Sequence, residues 1–201
     1  MRAERGFSLM ELMIVVGITG VLAGIGLPMM SKTLGAYKVS GDVRSAANAL
    51  QLTKLRAAAD FTKTRLYVDE SASSFHVEKW TAGSPGAWST EGGLTYLADR
   101  TAESYSYGVV ASPPANTQGT IGQAASCLTA TGTAIGNTAC IVFNSRGLPV
   151  TDKAAGTGDP TNADALYLTD GSAVFGVTVS ATGVIQVWRT NPTATPNWTA
   201  Q

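Results

Sequence analysis

The sequence is poor in the side chains that do chemistry. It holds one histidine, His76, and two cysteines, Cys127 and Cys140, in 201 residues. A Cys/His metal cluster would lack ligands, and a histidine-dependent triad would have to use His76. The cysteines lack C-x-x-C spacing, which disfavours a redox-active pair. No serine sits in a nucleophile elbow. Charged residues make up 14%, against roughly 25% in soluble domains, and the 14 basic and 14 acidic side chains cancel. A strongly basic nucleic-acid binder and an acidic disordered tail are therefore disfavoured, and no basic residue follows Arg189. The length suits one domain with an appendage. These absences leave a membrane-tethered or extracytoplasmic, non-catalytic protein as the leading class, with no cofactor implied.

What the chain does have is a long apolar run at its start. After the polar MRAERG, with Arg2 and Arg5, residues 7 to 30 contain a single charge, Glu11. A helix of that length crosses a hydrocarbon core of about 30 Å. The basic leader would stay cytoplasmic and place the C-terminus outside the cytoplasm. A secretory signal peptide fits poorly, because its apolar region is shorter and ends in a small-x-small site. A plain anchor does not need Glu11. A carboxylate in lipid costs about 2.5–3.5 kcal/mol or more and by default points to a functional partner.

The run Gly6-Phe7-Ser8-Leu9-Met10-Glu11 resembles the class III signal of type IV pilins and type II secretion pseudopilins. The resemblance implies that a prepilin peptidase cuts between Gly6 and Phe7 and methylates the new Phe7 amine. It also implies that Glu11 pairs with the Phe7 amine of a neighbouring subunit inside a filament. Two charges in an apolar medium are tolerable when paired, which agrees with that role. Pro28 stands where many pilins have a proline. It removes a backbone donor, and Gly17, Gly20, Gly24 and Gly26 lower helix propensity before it, so local unwinding in a filament has a basis here.

Beyond Met30, apolar residues recur at Ala36, Val39, Val43, Ala46, Leu50, Ala57 and Phe61, mostly three or four apart. Lys38, Asp42, Arg44, Asn48, Gln51, Lys54 and Asp60 line the other side. This predicts an amphipathic helix over 31–61 that continues the membrane segment and packs its stripe on a sheet. The basic residues Lys54, Arg56, Lys63 and Arg65 read as a solvated face rather than a nucleic-acid patch.

From Arg65 the pattern turns to strands. Residues 66–68 and 75–80 read as a hairpin, with further strands at 94–97, 104–111, 140–143 and 165–168. Residues 174–179 and 184–188 form the clearest hairpin, with β-branched residues around a glycine turn. Residues 82–93, 112–137 and 151–164 are rich in small and polar residues and read as long surface loops. The fold class is α+β: a long N-terminal helix, half membrane and half amphipathic, packed on a mainly antiparallel sheet domain. The expected organisation is a leader at 1–6, a filament-core helix at 7–30, an amphipathic helix at 31–61 and a β-rich extracytoplasmic domain at 62–201. The segments 141–147 and 173–189, with 46–52 of the helix, are similar to the H-type pseudopilin and FimT-like minor pilin group.

An extracytoplasmic domain permits a Cys127–Cys140 disulfide; two separate buried thiols are the alternative. His76 reads as a surface or satisfied strand histidine. Asp152, Asp159 and Asp164 share a polar loop without an EF-hand pattern, so calcium is the lesser reading and no metal site is expected. Trp188 and Trp198 read as core packing.

The resemblance implies a minor pilin or H-type pseudopilin that is not an enzyme. Its implied partners are other pilin or pseudopilin subunits, prepilin peptidase and an inner-membrane assembly platform, with membrane lipid before assembly. Its implied location is the inner membrane with a periplasmic C-terminal domain, then the filament. The competing reading is a DNA-binding minor pilin for DNA uptake, disfavoured by the lack of clustered cations. A membrane-anchored periplasmic enzyme lacks a visible constellation of titratable groups.

Overall fold

The computed structural model describes residues 8–84, 86–108, 110, 122–153, 158–161, 163–193 and 195–201. One helix, α1 (Leu9–Ala59), is followed by β1 (Thr64–Asp69), β2 (Ser74–Thr81) and β3 (Ala87–Tyr96). Then come β4 (Thr138–Phe143), β5 (Pro149–Val150), β6 (Ala163–Thr169), β7 (Val174–Ser180), β8 (Ile185–Thr190) and β9 (Thr199–Ala200). The chain divides into two compact units, Met1–Tyr37 and Lys38–Gln201. The α+β class, with a long N-terminal helix and antiparallel sheets, holds.

In the second unit, one sheet runs β3-β2-β1-β4-β5 and the other β6-β7-β8-β9, every pairing antiparallel. Val39, Val43, Ala46, Leu50 and Ala57 of α1 are buried in one core with Leu66, Val68, Phe75, Val77, Ile141 and Phe143 of the first sheet. Leu166, Leu168, Phe175, Val177 and Val179 of the second sheet complete it. The period of two along each strand selects these residues and sends their neighbours to the opposite face. The wide gap in the helical stripe between Leu50 and Ala57 is filled by Thr53. That side chain is fully buried, and its hydroxyl donates to the Ala49 carbonyl at 2.7 Å.

The helix ends sooner than its stripe suggests. It stops at Ala59, and Phe61 adopts φ 51°, while the Thr62 N–H returns to the Ala57 carbonyl. This reversal is a Schellman-type end with a phenylalanine where glycine is favoured. It turns Phe61 out, 85% exposed, so Phe61 is not the core residue its spacing implies.

Two strand assignments change. Residues 82–93 are not one loop, because β3 begins at Ala87 and pairs with β2 in the register Trp80↔Trp88. As an edge strand exposed along most of its length, β3 lacks the apolar alternation that announces a strand. Its Trp88 packs edge-on to Trp80 at 5.1 Å, and Glu91 pairs with Lys79 at 3.2 Å. Conversely, the proposed strand at 104–111 is reduced to one bridge, Ser104↔Thr169; Val109 and Ala111 lie outside the described residues. Of the expected loops, 112–121 and 154–157 also lie outside them.

The outward face of the first sheet carries a second, smaller core. Cys127 and Cys140 are joined by a disulfide with a Cα–Cα distance of 4.9 Å. With Val142 and Val150 they form a buried cluster against Tyr67, Trp88 and Ile135. On the second sheet, Ala165 and Tyr167 are buried with Trp198 packed against them. Gly176 makes room there, since a Cβ at that position would lie 2.8 Å from the Tyr167 ring. Trp188 is buried, and its indole N–H donates to Thr178 Oγ1 at 2.9 Å.

Candidate functional site: the N-terminal helical segment

The local sequence explains how the helix starts. Ser8 precedes it; its Oγ accepts the Glu11 N–H at 3.4 Å and its carbonyl accepts the Leu12 N–H at 3.2 Å. Ser8-Leu9-Met10-Glu11 therefore has the S-x-x-E spacing of a capping box, a signal present in the sequence and independent of any resemblance. Glu11 lies in the first turn, where the amide dipoles favour a negative charge. It is exposed.

Residues 9 to 26 form a window of mean hydropathy 2.1, long and apolar enough to cross a membrane, and every side chain in it is exposed. Leu9, Met10, Leu12, Met13, Ile14, Val15, Val16, Ile18, Val21, Leu22 and Ile25 each leave half or more of their surface open. A soluble protein does not present such a rod to water; its surface demands lipid or other protein. The one hydroxyl within the run is satisfied internally: Thr19 Oγ1 lies 2.8 Å from the Val15 carbonyl and 3.0 Å from that of Val16. Added Cβ atoms at Gly17, Gly20, Gly24 and Gly26 would meet nothing, so these positions are open clefts on the rod. The helix assignment runs unbroken past Pro28. Gly6 and Phe7 lie outside the described residues, as does the Pro28 side chain.

The other chemistry-bearing residues hold the β-rich unit together. The basic residues 54, 56, 63 and 65 do not form one solvated face: Arg56 is exposed and Lys54 half-buried, but Lys63 and Arg65 are buried. Arg65 is almost fully buried, donating to Glu78 at 2.6 Å and to both Asp152 and the Leu128 carbonyl at 2.7 Å. Its guanidinium lies 4.1 Å from the centre of the Trp88 ring and 5.4 Å from that of Tyr67. Lys63 donates to the Lys153 carbonyl at 2.7 Å and sits over Trp80; burial lowers its pKa. Arg56 pairs with Glu91, and Lys54 donates to the Gly183 carbonyl at 2.8 Å. Alternation in β1 sends Arg65 and Tyr67 away from the helix core, where the disulfide-bearing segment covers them. The sequence gives no sign of that cover.

His76 is half-buried beside Tyr67, with Nε2 3.3 Å from Glu78 Oε1. Burial alone would raise the Glu78 pKa, but hydrogen bonds and charge from His76 and Arg65 outweigh it and leave it lowered. Asp152 serves Arg65 and the Leu128 N–H, Asp159 pairs with Lys153, and Asp164 accepts from Thr161 at 3.0 Å. Among the described residues, no three His, Cys, Asp or Glu side chains converge as a metal site.

No curated protein and no solved structure matches the chain. Residues 1–27 match the family model described as the prokaryotic N-terminal methylation motif. The exposed apolar helix that opens at Ser8 and Glu11 thus begins in a type IV pilin-like N-terminal signal, and it is this signal that ties the chain to pilin-like and pseudopilin subunits.

Proposed function

We propose that this protein is a structural subunit of a type IV pilus-like filament, a minor pilin or H-type pseudopilin serving pilus assembly or type II protein secretion. The observation that carries the reading is the fully exposed apolar helix at 9–26 attached to an N-terminal methylation motif. On this reading residues 1–6 are a leader removed by prepilin peptidase, and the Phe7 amine is methylated. Residues 7–30 reside in the inner membrane and then pass into the filament core. The domain from residue 62, carried on the amphipathic part of α1 that ends at Ala59, lies in the periplasm or at the filament surface.

The chemistry of assembly follows from the rod. Transfer from lipid to a bundle of like helices changes apolar contacts little, so packing and polar pairing decide it. Gly20 and Gly24, four residues apart, permit close backbone approach. Cleavage before Phe7 leaves the Ser8 cap intact and creates an ammonium one residue upstream. The Glu11 carboxylate of an adjoining copy would neutralise that charge inside the core, with Pro28 providing the point of local unwinding. An assembly platform would supply the extraction step. The protein performs no catalysis in this account.

The DNA-uptake reading has less support. A cleft of about 480 Å³ at the C-terminal end is lined by Asn191, Asn197 and threonines, with Arg189 the sole cation among its lining residues. Binding a polyanion calls for several phosphate contacts.

Mass spectrometry of the full chain co-expressed with a prepilin peptidase tests the proposal. The expected product begins at N-methylated Phe7. An uncut chain, or cleavage elsewhere, would overturn it.

A further inference from the structure

Glu103 is a buried acid, and among the described residues no base pairs with it. Its side chain belongs to the segment 97–107, which follows β3 and lies against α1. The residue is 4% exposed, and among the described residues no donor reaches either carboxyl oxygen. Facing it is another acid, the half-buried Asp42 of α1, placed to share a hydrogen bond with it. Asp42 in turn accepts the Ala98 N–H at 2.6 Å and so fixes the start of the segment. A buried carboxyl that meets a half-buried carboxylate is most stable when it keeps its proton and donates it to that neighbour.

We propose that the segment 97–107 is clasped to α1 by a proton that Glu103 holds and donates to Asp42, making this contact a pH-sensitive joint of the domain.

Every charged group facing Glu103 agrees with that assignment. Asp99 on its own segment is kept ionised by hydrogen bonds from the Thr101 hydroxyl and the Ala102 N–H, and by Lys38 of α1 at 3.3 Å. Asp170, in the turn between β6 and β7, is held below the usual carboxylate range because hydrogen bonds from Ser172 and Ala173 outweigh its burial. Tyr105 is buried beside the pair, its hydroxyl without a hydrogen-bond partner among the described residues, and burial and then Asp42 and Glu103 hold it protonated. Asp69, the last residue of β1, and Glu70, which follows it, add further negative charge toward Tyr105. Lys38 is the cation among these groups, and Asp99 occupies it. Burial first, and then Asp42, push the Glu103 carboxyl up to about 8.

The linkage has a definite sign. With the segment closed, Glu103 keeps its proton; with the segment open and hydrated, it titrates near the ordinary glutamate value of 4.5. Opening therefore releases a proton and becomes easier as pH rises from about 4.5 to about 8, then levels off. The clasp holds Leu97, Ala98 and Glu103, whose N–H groups bond Ser73, Asp42 and Asp99 respectively. It lies in the unit that begins at Lys38 and needs no assumption about filament assembly.

Hydrogen exchange of the Leu97 and Ala98 amides, in the full chain in detergent micelles, reads the clasp. Each rate is divided by that of Glu103→Gln at the same pH, which cancels intrinsic exchange; the amide of Gln is neutral and still donates to Asp42. The expected ratio climbs at least about tenfold between pH 5 and pH 8 and is flat above. A ratio independent of pH would overturn the proposal. The carboxyl ¹³C shift of Glu103 should titrate near 8, and at a lower pH in Asp42→Asn; a wild-type midpoint near 4.5 contradicts it. Slowed exchange at pH 8 on adding calcium or magnesium would also overturn it, by making the pair a cation site.

Discussion

The Lys54 ammonium donates to the carbonyl of Gly183 at 2.8 Å, tying the C-terminal end of α1 to the turn between β7 and β8. Gly183 has φ +75°, and a Cβ there would lie 2.5 Å from the Gly147 carbonyl oxygen. Gly147 is itself at φ +72° and packs on the Lys54 stem. Two turns from different sheets thus close around one lysine.

Gly183→Ala should therefore destabilise the domain by about 1–3 kcal/mol, through backbone strain and the clash with Gly147. Denaturant unfolding of the full chain in micelles, followed by tryptophan fluorescence, measures it. Gly171→Ala is the comparison: it shares a positive φ of +82° but meets no atom, so its cost should be smaller.

Arg65 is the counter-charge for two buried acids. Arg65→Met leaves Glu78 and Asp152 uncompensated and should cost about 3–5 kcal/mol at neutral pH. Glu78 has its pKa lowered in the fold, so its stabilising contribution is present above the ordinary carboxyl pKa and is lost as pH falls through the lowered value. The difference between wild type and variant should shrink on acidification. A constant difference from pH 7 to pH 3 would contradict this reading of the network.

Reducing the Cys127–Cys140 disulfide should lower stability by roughly 3 kcal/mol in the chain-entropy view, given a sequence separation of 13. The loss should appear first at the face bearing Trp88, which packs against that cluster. An unfolding curve unchanged by reductant would show that packing alone holds this face.

Much of this was legible in the residues, and the exceptions have physical causes. The apolar run, the stripe from Val39 to Leu50 and the hairpin around Gly183 follow from period and turn chemistry, which are local. Edge strand β3 was hidden because an exposed strand needs no apolar face. Phe61 keeps the spacing of the stripe yet leaves the core, because the helix stop is set by a phenylalanine in a conformation that usually belongs to glycine. Arg65 looked solvent-facing because its partners Glu78 and Asp152, and the Leu128 carbonyl, come from elsewhere in the chain. The Glu103–Asp42 pair is likewise non-local, joining residues 61 positions apart in a sequence that marks neither. At the candidate site, Glu11 stood out because a charge in an apolar run is conspicuous.

The central claim is that Glu11 serves assembly rather than anchoring. Glu11→Ala should still be made, inserted in the membrane and cut before Phe7, since the change removes a charge from the window over 9–26 and leaves its apolar residues in place. The capping contact from the Glu11 N–H to Ser8 uses the backbone and survives the change. The decisive measurement is the share of processed subunit recovered in sheared filaments, wild type against Glu11→Ala, in cells holding the full assembly machinery. The account predicts that the variant stays in the membrane fraction and is nearly absent from filaments; incorporation at the wild-type level would contradict it.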